Sequence, residues 1–496
     1  MGRAAFLYFF FGNVNRVFPG PLFLCGRAVP SVININNQLF FLNLMDAFTN
    51  LSQMNQHQFR LSRKIFLLST FLFINSFNNS ASAQSKEQTL HALNKLLVNT
   101  VMTDLFTPPV ASRIYAYPNI AFYECIRLDD PSLASLSGKL NGLSTLPALP
   151  VSKVDNFTAA CISFSYVAQS LVGSEYKFSD WRKAFSDSML LQADSVITKN
   201  SIGYGKMMAD SIIAWTRKDN YLKSRGLYRY IISNSPGAWQ PTPLDYAQGL
   251  EPHWNTIRPM TLQTATQFSP KEKLVYSRSK VSMFYKTMME VYNIVKNLDT
   301  VRKATALYWD DNPNVSANIG HLNYFIHKIS PGGHWIMIAQ QACIKKNVPV
   351  AKAAQAYALT AIAIFDAFIS CWDEKYRTNL IRPITIINRL IDKKWTPYIQ
   401  TPPFPEFTSG HSVTSNAAAT ILTTLLGDNF EFTDETEIPF GNKVRQFSSF
   451  YAASLESSSS RVYGGIHYPE TARISVEQGK AIGKHVLKTL LPAVVK

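Results

Sequence analysis

Cysteine is scarce in this sequence, and its spacing is as informative as its number. The chain has 5 cysteines in 496 residues, and no two of them have the CxxC spacing. That arrangement excludes the paired thiolates of a structural zinc site. Four of the cysteines follow residue 83, at Cys125, Cys161, Cys343 and Cys371. Whether an exported chain would pair any of them stays open at this stage.

Acidic residues are also in short supply. Asp and Glu number 33 against 49 Lys and Arg, which gives a formal net charge of +16. The basic residues are scattered rather than gathered in a block, so their field suits the capture of small anions better than the reading of nucleic acid. We therefore expect small-molecule partners and no nucleic acid. A hydrophobic content of 46% excludes global disorder.

The N-terminal region lacks an apolar run of the roughly 20 residues that a membrane-spanning helix needs. Its basic RLSRK is followed by IFLLSTFLFI and by an Ala-x-Ala site at Ala81 and Ala83. This pattern predicts a signal peptide over residues 54–83. Residues 1–53 are then a non-native upstream extension, and the mature protein is exported, periplasmic or secreted, without a stable membrane span. The alternative of a retained membrane anchor at residues 65–74 stays open.

Alternation at strand spacing is absent over any length that would build a sheet. Helical spacing dominates instead, and the predicted helices cover 86–106, 110–127, 153–172, 178–217, 271–296, 316–328, 333–346, 349–372, 410–426, 441–458 and 470–490. The fold class is therefore all-α, a large helical bundle with its most apolar helix at the centre. We divide it into N-terminal and C-terminal halves, 84–300 and 301–496, and expect the functional site in the second. The Gly-, Pro- and aromatic-rich segment 225–260 predicts a long ordered loop.

Three short segments of the C-terminal half combine cations, histidines and a helix start. KYRTNLIRP contains Lys375 and Arg382, and SSRVYGGIH contains Arg461 and His467. Between them TSGHS opens a helix, whose positive N-terminus and free backbone N–H groups favour an anion. The residues of that segment are Ser409, Gly410 and His411. Each segment alone is an ordinary feature: solvated cations, an N-cap or a loop histidine.

Together the three segments supply three cations, a helix N-terminus and two titratable imidazoles. This set fits a tetrahedral oxyanion such as phosphate or vanadate. One histidine can attack or ligate the central atom, and the other can give or take a proton. The residues alone do not decide between these two anions.

The spacing K-x6-RP, then SGH, then SR-x5-H resembles the signature of the type 2 phosphatidic acid phosphatases and the vanadium-dependent haloperoxidases. The matching residues lie between 372 and 467, and looser similarity extends to PPVASRIYAY, PGAWQPTP and WDDNP, as in exported bacterial haloperoxidase-like proteins. One position departs, because Thr408 stands where the family has proline. The resemblance implies a pair of four-helix bundles.

The resemblance also assigns roles to the motif residues. It implies that His467 is the vanadate ligand of a haloperoxidase or the phosphorylated nucleophile of a phosphatase, with His411 as its acid–base partner. The implied oxyanion-binding residues are Lys375, Arg382, Ser409, Gly410 and Arg461.

Three functions remain in competition. The first is a vanadate-dependent haloperoxidase that oxidises halide with hydrogen peroxide; Phe404 in PPFPEFTSGH and Trp372 before the lysine resemble that class and are candidate pocket residues. The second is a secreted acid phosphatase that hydrolyses a phosphate ester in the same pocket without a cofactor, through a phosphohistidine. The third is a non-catalytic anion-binding protein. His334 in PGGHW is either a residue of the pocket mouth or a packed loop histidine.

Overall fold

The computed structural model describes residues 85–313, 315–319 and 321–491. The predicted upstream extension and signal peptide lie outside these residues. Helices hold 58% of the chain and strands 3%, which confirms the all-α prediction. The residues from Gln84 onward belong to one compact unit. The division of that unit at residue 300 stays a prediction.

Eight helices precede the first strand within the described residues. They are α1 (Lys86–Thr103), α2 (Pro108–Ile126), α3 (Asn156–Gln169), α4 (Tyr176–Gln192), α5 (Ser195–Thr216), α6 (Tyr221–Arg225), α7 (Met283–Lys296) and α8 (Thr300–Tyr308). Side-chain caps explain several of the starts: Ser85 forms a capping box with Gln88, and Asp194 accepts from the first turn of α5 and so divides the predicted helix 178–217 in two.

The remaining elements carry the sequence motifs. They are β1 (Val315–Ile319), β2 (Leu322–Ile326), α9 (Pro331–Lys345), α10 (Val350–Thr378), α11 (Pro383–Leu390), α12 (Gly410–Leu426), β3 (Phe432–Asp434), β4 (Arg445–Phe447), α13 (Phe450–Tyr463) and α14 (Pro469–Leu490). Short 3-10 turns occur at Arg127–Asp129, Trp254–Thr256 and Ile438–Phe440.

Helix α10 is the centre of the fold. It packs against α2 on one side and α12 on the other; α2 continues through α3 to α5, and α12 continues to α13 and α14. The result is two groups of helices that share a core helix. By length and composition α10 is the one described helix apolar enough to cross a membrane, but its apolar window is entirely buried inside the protein.

The predicted helix at 316–328 is wrong. These residues form an antiparallel ribbon in which Ile319 pairs with Leu322, so only two residues separate the last pair of β1 and β2. A two-residue connection with glycine first is a hairpin signal, and it outweighs the weak helical spacing around it. The predicted helix at 441–458 is also displaced, because β4 pairs with β3 and α13 starts only after Ser449.

The long loop at residues 225–260 is bound to the central helix α10. Trp239 and Trp254 are fully buried in it, as their size leads one to expect. Its end is bound to the central helix, since the Asp366 carboxylate accepts from the backbone N–H groups of Met260 (2.7 Å) and Thr261 (2.8 Å). The four described cysteines are all free and buried.

Candidate active site

A cavity lies where α10, α12 and the turn between α13 and α14 meet. It holds about 470 Å³ of free space, its mouth included. One side of its lining is aromatic and the other is polar. The aromatic residues are Phe368, Trp372 and Phe404, and the polar ones include His411, Arg461, His467, Asp310 and Asp311. Residues of the SGH and SR-x5-H segments and the two predicted aromatic pocket residues therefore line the same space, whereas Lys375 and Arg382 do not line it.

His467 follows the Gly464–Gly465 turn that ends α13. Gly465 has a φ of 76°, a conformation that favours glycine, and its backbone lies close to Pro397. His467 Nδ1 lies 2.8 Å from Glu406 Oε1, and its Nε2 lies 3.2 Å from Arg382 Nη1. Because a carboxylate accepts and a guanidinium donates, Nδ1 carries the proton and Nε2 keeps its lone pair. That is the tautomer an Nε2 ligand needs.

Glu406 was not among the residues predicted from sequence. Its side chain is fully buried, and besides His467 it accepts from the Tyr468 backbone N–H (3.1 Å) and from Thr471 Oγ1 (2.9 Å). Burial raises the pKa of Glu406 to about 7, against the opposing pull of Arg382. The one available signal was a lone acid in the otherwise apolar TPPFPEF, just before the SGH segment.

Two buried arginines lie near His467: Arg461 lines the cavity, and Arg382 contacts the His467 ring without lining the cavity. Arg382 donates through Nε to the Phe404 carbonyl (2.9 Å) and through Nη1 to the Ile466 carbonyl (2.7 Å), while its buried Nη2 has no partner. Arg461 donates to Ser460 Oγ (3.1 Å) and to the Trp309 carbonyl (2.5 Å). Burial lowers the pKa of Arg382 to about 10 and also lowers the pKa of Arg461, so both remain cations at neutral pH.

Lys375 is placed differently from the arginines. Its Nζ donates to the carbonyls of Pro405 (3.1 Å), Glu406 (3.2 Å) and Thr408, and it does not line the cavity. An ammonium has three donors, and all three are directed to this turn. Burial lowers its pKa to about 7. In this structure Lys375 therefore shapes the turn that presents the SGH segment.

Helix α12 begins at the cavity. Ser409 is its N-cap: its hydroxyl accepts from Ser412, and its own backbone N–H donates to Ser475 Oγ (2.9 Å). Gly410 follows in the first turn and lines the cavity. A Cβ on Gly410 would meet Trp372 at 3.5 Å, which is ordinary contact, so space alone does not demand glycine here. The N-terminus itself contributes positive potential.

His411 is the next residue of α12 and faces the same space. Its side chain is 14% exposed, and its Nε2 is 3.9 Å from Asp311 Oδ2, beyond hydrogen-bond distance. Nε2 is buried without a hydrogen-bond partner. Burial lowers the pKa of His411 well below its ordinary value, and Arg461 and His334 lower it further. His411 is therefore a neutral imidazole with one unused nitrogen.

His334 does not lie at the pocket mouth, contrary to one of its two predicted placements. It is fully buried in the first turn of α9, where Nδ1 lies 3.0 Å from Asp311 and Nε2 lies 2.8 Å from Asp434. Its ring stacks on Trp309 with centroids 4.6 Å apart. The N-cap Ser330 and the helix geometry of α9 point the ring inward, so it lies behind the cavity wall.

The residues present fit a bound vanadate. Arg382 Nη2 and His411 Nε2 are buried polar atoms without a protein partner, an arrangement that is rare unless a ligand or water supplies the missing bond. His467 Nε2 offers a lone pair, and Arg461 and the start of α12 add positive charge. This donor set matches a tetrahedral oxyanion bonded to one imidazole.

The comparisons agree with this geometry. The family described as the VCPO second helical-bundle domain matches residues 355–394 and 389–494. No curated protein matches the sequence. Holo and apo crystal structures of a bacterial vanadium-dependent chloroperoxidase are each 16% identical to this chain, with TM-scores of 0.61 and 0.60 respectively. Each match covers 79% of this chain, and the matches cover 94% of the holo chain and 95% of the apo chain. At this identity the likeness shows the fold alone.

A closer likeness is to the crystal structure of the first bacterial vanadium-dependent iodoperoxidase. It is 42% identical, with a TM-score of 0.77, and the match covers 82% of this chain and 96% of that one. Gly410, His411, Arg461 and His467 of the motif line one cavity. Identity of that extent, over nearly the whole of the relative, places the chain in a known family: it belongs to the vanadium-dependent haloperoxidases.

Proposed function

We propose that this protein oxidises a halide with hydrogen peroxide at a His467-bound vanadate, and that iodide is a halide it accepts. The observation that carries the proposal is the state of His467: it lines the cavity beside Arg461, its Nδ1 is bound to Glu406, and its unprotonated Nε2 has Arg382 as a donor at 3.2 Å. The iodide assignment is supported by the likeness to a bacterial iodoperoxidase. Nothing observed favours the acid phosphatase alternative.

The residues divide the work between binding and proton transfer. His467 would hold vanadate through Nε2, and Glu406 fixes the imidazole in the tautomer that leaves this nitrogen unprotonated. Arg382 Nη2 and Arg461 would neutralise the vanadate oxygens. Vanadate, when bound, supplies a Lewis-acid centre that activates hydrogen peroxide toward halide. The chain's own contribution is to hold the anion and to exclude bulk water with its aromatic wall.

His411 is the proton carrier of this scheme. Its Nε2 is unpartnered and neutral, so it can accept a proton from incoming peroxide and return one later. Asp311 Oδ2, at 3.9 Å, is placed to stabilise the imidazolium that this transfer creates. Proton transfer requires only that the His411 base reach the cavity, and it does not require a covalent bond from His411 to vanadate.

Two single substitutions test these roles. His467→Ala should abolish tight vanadate binding, because no other group supplies that bond. His411→Ala should still bind vanadate, while iodide oxidation falls by about 10²- to 10⁴-fold, the loss expected for a general acid–base group. Vanadate titration followed by ultraviolet absorbance, beside steady-state kinetics, makes the comparison. The opposite pattern would invert the two roles.

A substrate panel separates the two candidate activities. Vanadate-loaded protein is assayed with peroxide and iodide or bromide, and vanadate-free protein with p-nitrophenyl phosphate. We expect halide oxidation that depends on vanadate and is inhibited by phosphate, since both anions compete for the same cations. Phosphate-ester hydrolysis without halide oxidation would replace the proposal with the phosphatase.

We also propose that the mature protein is exported, starting near Gln84. Support comes from the signal-peptide pattern, which predicts cleavage before Gln84, and from the first described helix, which begins at Lys86. N-terminal sequencing of protein recovered from the periplasm or the medium tests this. A mature chain that retains residues before Met54 would contradict it.

A further inference from the structure

Behind the wall of the cavity lies a buried histidine with a carboxylate on each ring nitrogen. His334 Nδ1 lies 3.0 Å from Asp311 Oδ1, and His334 Nε2 lies 2.8 Å from Asp434 Oδ2. The histidine and both carboxylates are 0% to 2% exposed. The three residues come from α9, the turn after α8, and β3. The cluster thus joins three separate elements.

The hydrogen-bond geometry favours a charged ring. A neutral imidazole donates from one nitrogen only, so its other nitrogen would present a lone pair to a carboxylate. With both carboxylates ionised, both contacts are satisfied only when both nitrogens carry protons. Burial opposes the charge, but Asp311 and Asp434 raise the pKa of His334 well above its ordinary value. The same pairing lowers the pKa of Asp434 against the effect of its burial.

The other groups around His334 do not supply a competing cation. Glu437 Oε1 is 4.0 Å from Nδ1; burial, and then Asp311, raise the pKa of Glu437 to about 8. Trp309 stacks on the ring, and Tyr308 donates its hydroxyl to the Asp434 carbonyl (3.1 Å). The groups that contact the ring are therefore acids and aromatic rings, which favour an imidazolium.

Asp311 connects this cluster to the reaction site. One of its oxygens binds His334, and the other lies 3.9 Å from His411 Nε2. We propose that His334 is a positioning residue for the reaction: a permanent imidazolium, clamped by Asp434, that holds the second oxygen of Asp311 in front of His411. The role in turnover rests on the proposed function, whereas the charge state of His334 does not.

The charged groups around His411 determine how its pKa would change if His334 were removed. They are Arg461 from α13, Lys375 from α10, His334 from α9 and the Asp311 carboxylate. Without the imidazolium, the negative charge of Asp311 is compensated by Arg461 alone, so it would attract a proton to His411 more strongly. The substitution should therefore raise the pKa of His411 and make the base less available at low pH.

The first test is the ionisation of His334 in vanadate-free protein. Histidine-selective ¹⁵N labelling, assigned with a His334→Gln sample, should show one buried histidine with two protonated nitrogens and no titration between roughly pH 5.5 and 8.5. A His334 signal of the neutral ring at pH 7 would overturn the proposal. This result is independent of any activity, so it separates failure of the inference from failure of the proposed function.

The second test is kinetic and uses a matched control. His334→Gln should lower kcat by about 10- to 100-fold, the usual effect of removing a supporting hydrogen-bond partner, with vanadate affinity changed less than threefold. The acid limb of its pH–kcat profile should move to higher pH. His485→Gln, on α14 and half-buried against the Thr261 carbonyl, should match wild type.

Two outcomes would contradict the positioning role. One is an unchanged pH profile and kcat in His334→Gln; the other is a loss of vanadate affinity as large as the loss of kcat, which indicates a general structural defect. If His334→Gln does not fold, Asp434→Asn removes the clamp but keeps the ring. That variant should show the same shift of the acid limb, and a profile identical to wild type would overturn the proposal.

Discussion

Glu406 offers the sharpest test of how the site holds its anion. Its carboxylate accepts three hydrogen bonds: two reach Oε1, from His467 Nδ1 and the Tyr468 N–H, and one reaches Oε2, from Thr471. In Glu406→Gln the amide oxygen can occupy the Oε1 position and keep both of its bonds. The amide NH₂ then faces the Thr471 hydroxyl, which can turn and accept. The His467 ring keeps its orientation, while the negative charge of the Glu406 carboxylate is lost.

The expected size of the effect on vanadate affinity differs between loss of the charge and loss of the orientation. Supporting partners of metal-bound histidines contribute about 10- to 100-fold to affinity or activity, which is about 1.4 to 2.7 kcal/mol. Because Glu406→Gln loses charge only, we expect about tenfold weaker vanadate binding. Glu406→Ala also frees the imidazole to rotate and leaves three donors unpaired, so we expect at least about 100-fold.

Calorimetric titration of vanadate into the apoprotein measures both effects without reference to turnover. Glu124→Gln is the matched control, because Glu124 is also buried and accepts from a backbone N–H, a hydroxyl and an arginine, but it lies on α2 away from the cavity. If Glu406→Gln bound vanadate as tightly as Glu124→Gln, the carboxylate would not support the ligand, and our account of His467 would fail.

Two further predictions concern stability. Burial lowers the pKa of His91 from 6.5 to about 4, and its Nδ1 bonds the Tyr357 hydroxyl (2.7 Å), so the folded state holds the ring neutral. Below pH 6.5 the unfolded chain binds the extra proton, so the free energy of unfolding should fall by up to about 3 kcal/mol as the pH drops toward 4. His91→Gln should lose this part of the pH dependence when urea unfolding is measured at pH 7.5, 6 and 5. An unchanged pH dependence would refute the prediction. Asp366→Ala leaves three donors unpaired, the N–H groups of Met260 and Thr261 and the Thr261 hydroxyl. The free energy of unfolding in urea should therefore fall by about 3 kcal/mol or more, and by less in Asp366→Asn. Equal stability of the two variants would refute this prediction.

The parts of the fold that could be read from sequence are those determined locally. The apolar run of α10 and the SGH start of α12 depend on residues within one or two turns, so spacing alone indicated them. The ribbon β1–β2 was missed because a two-residue turn, rather than a strand pattern, determines it. Glu406 was missed for another reason: its three partners lie more than sixty residues away, and only the tertiary fold brings them together.

The same reasoning shows why the motif segments do not build the site alone. The long loop before α7 is bound at several points to the chain around the motifs: Trp239 donates its backbone N–H to the Asn379 carbonyl (2.8 Å), Leu250 donates to the Pro403 carbonyl (3.0 Å), and Trp372 Nε1 donates to the Leu250 carbonyl (3.1 Å). These bonds hold the end of α10 and the PPFPEF turn against each other. Since that turn carries Glu406 and the carbonyls that bind Lys375, the position of His467 depends on a loop more than two hundred residues earlier in the chain.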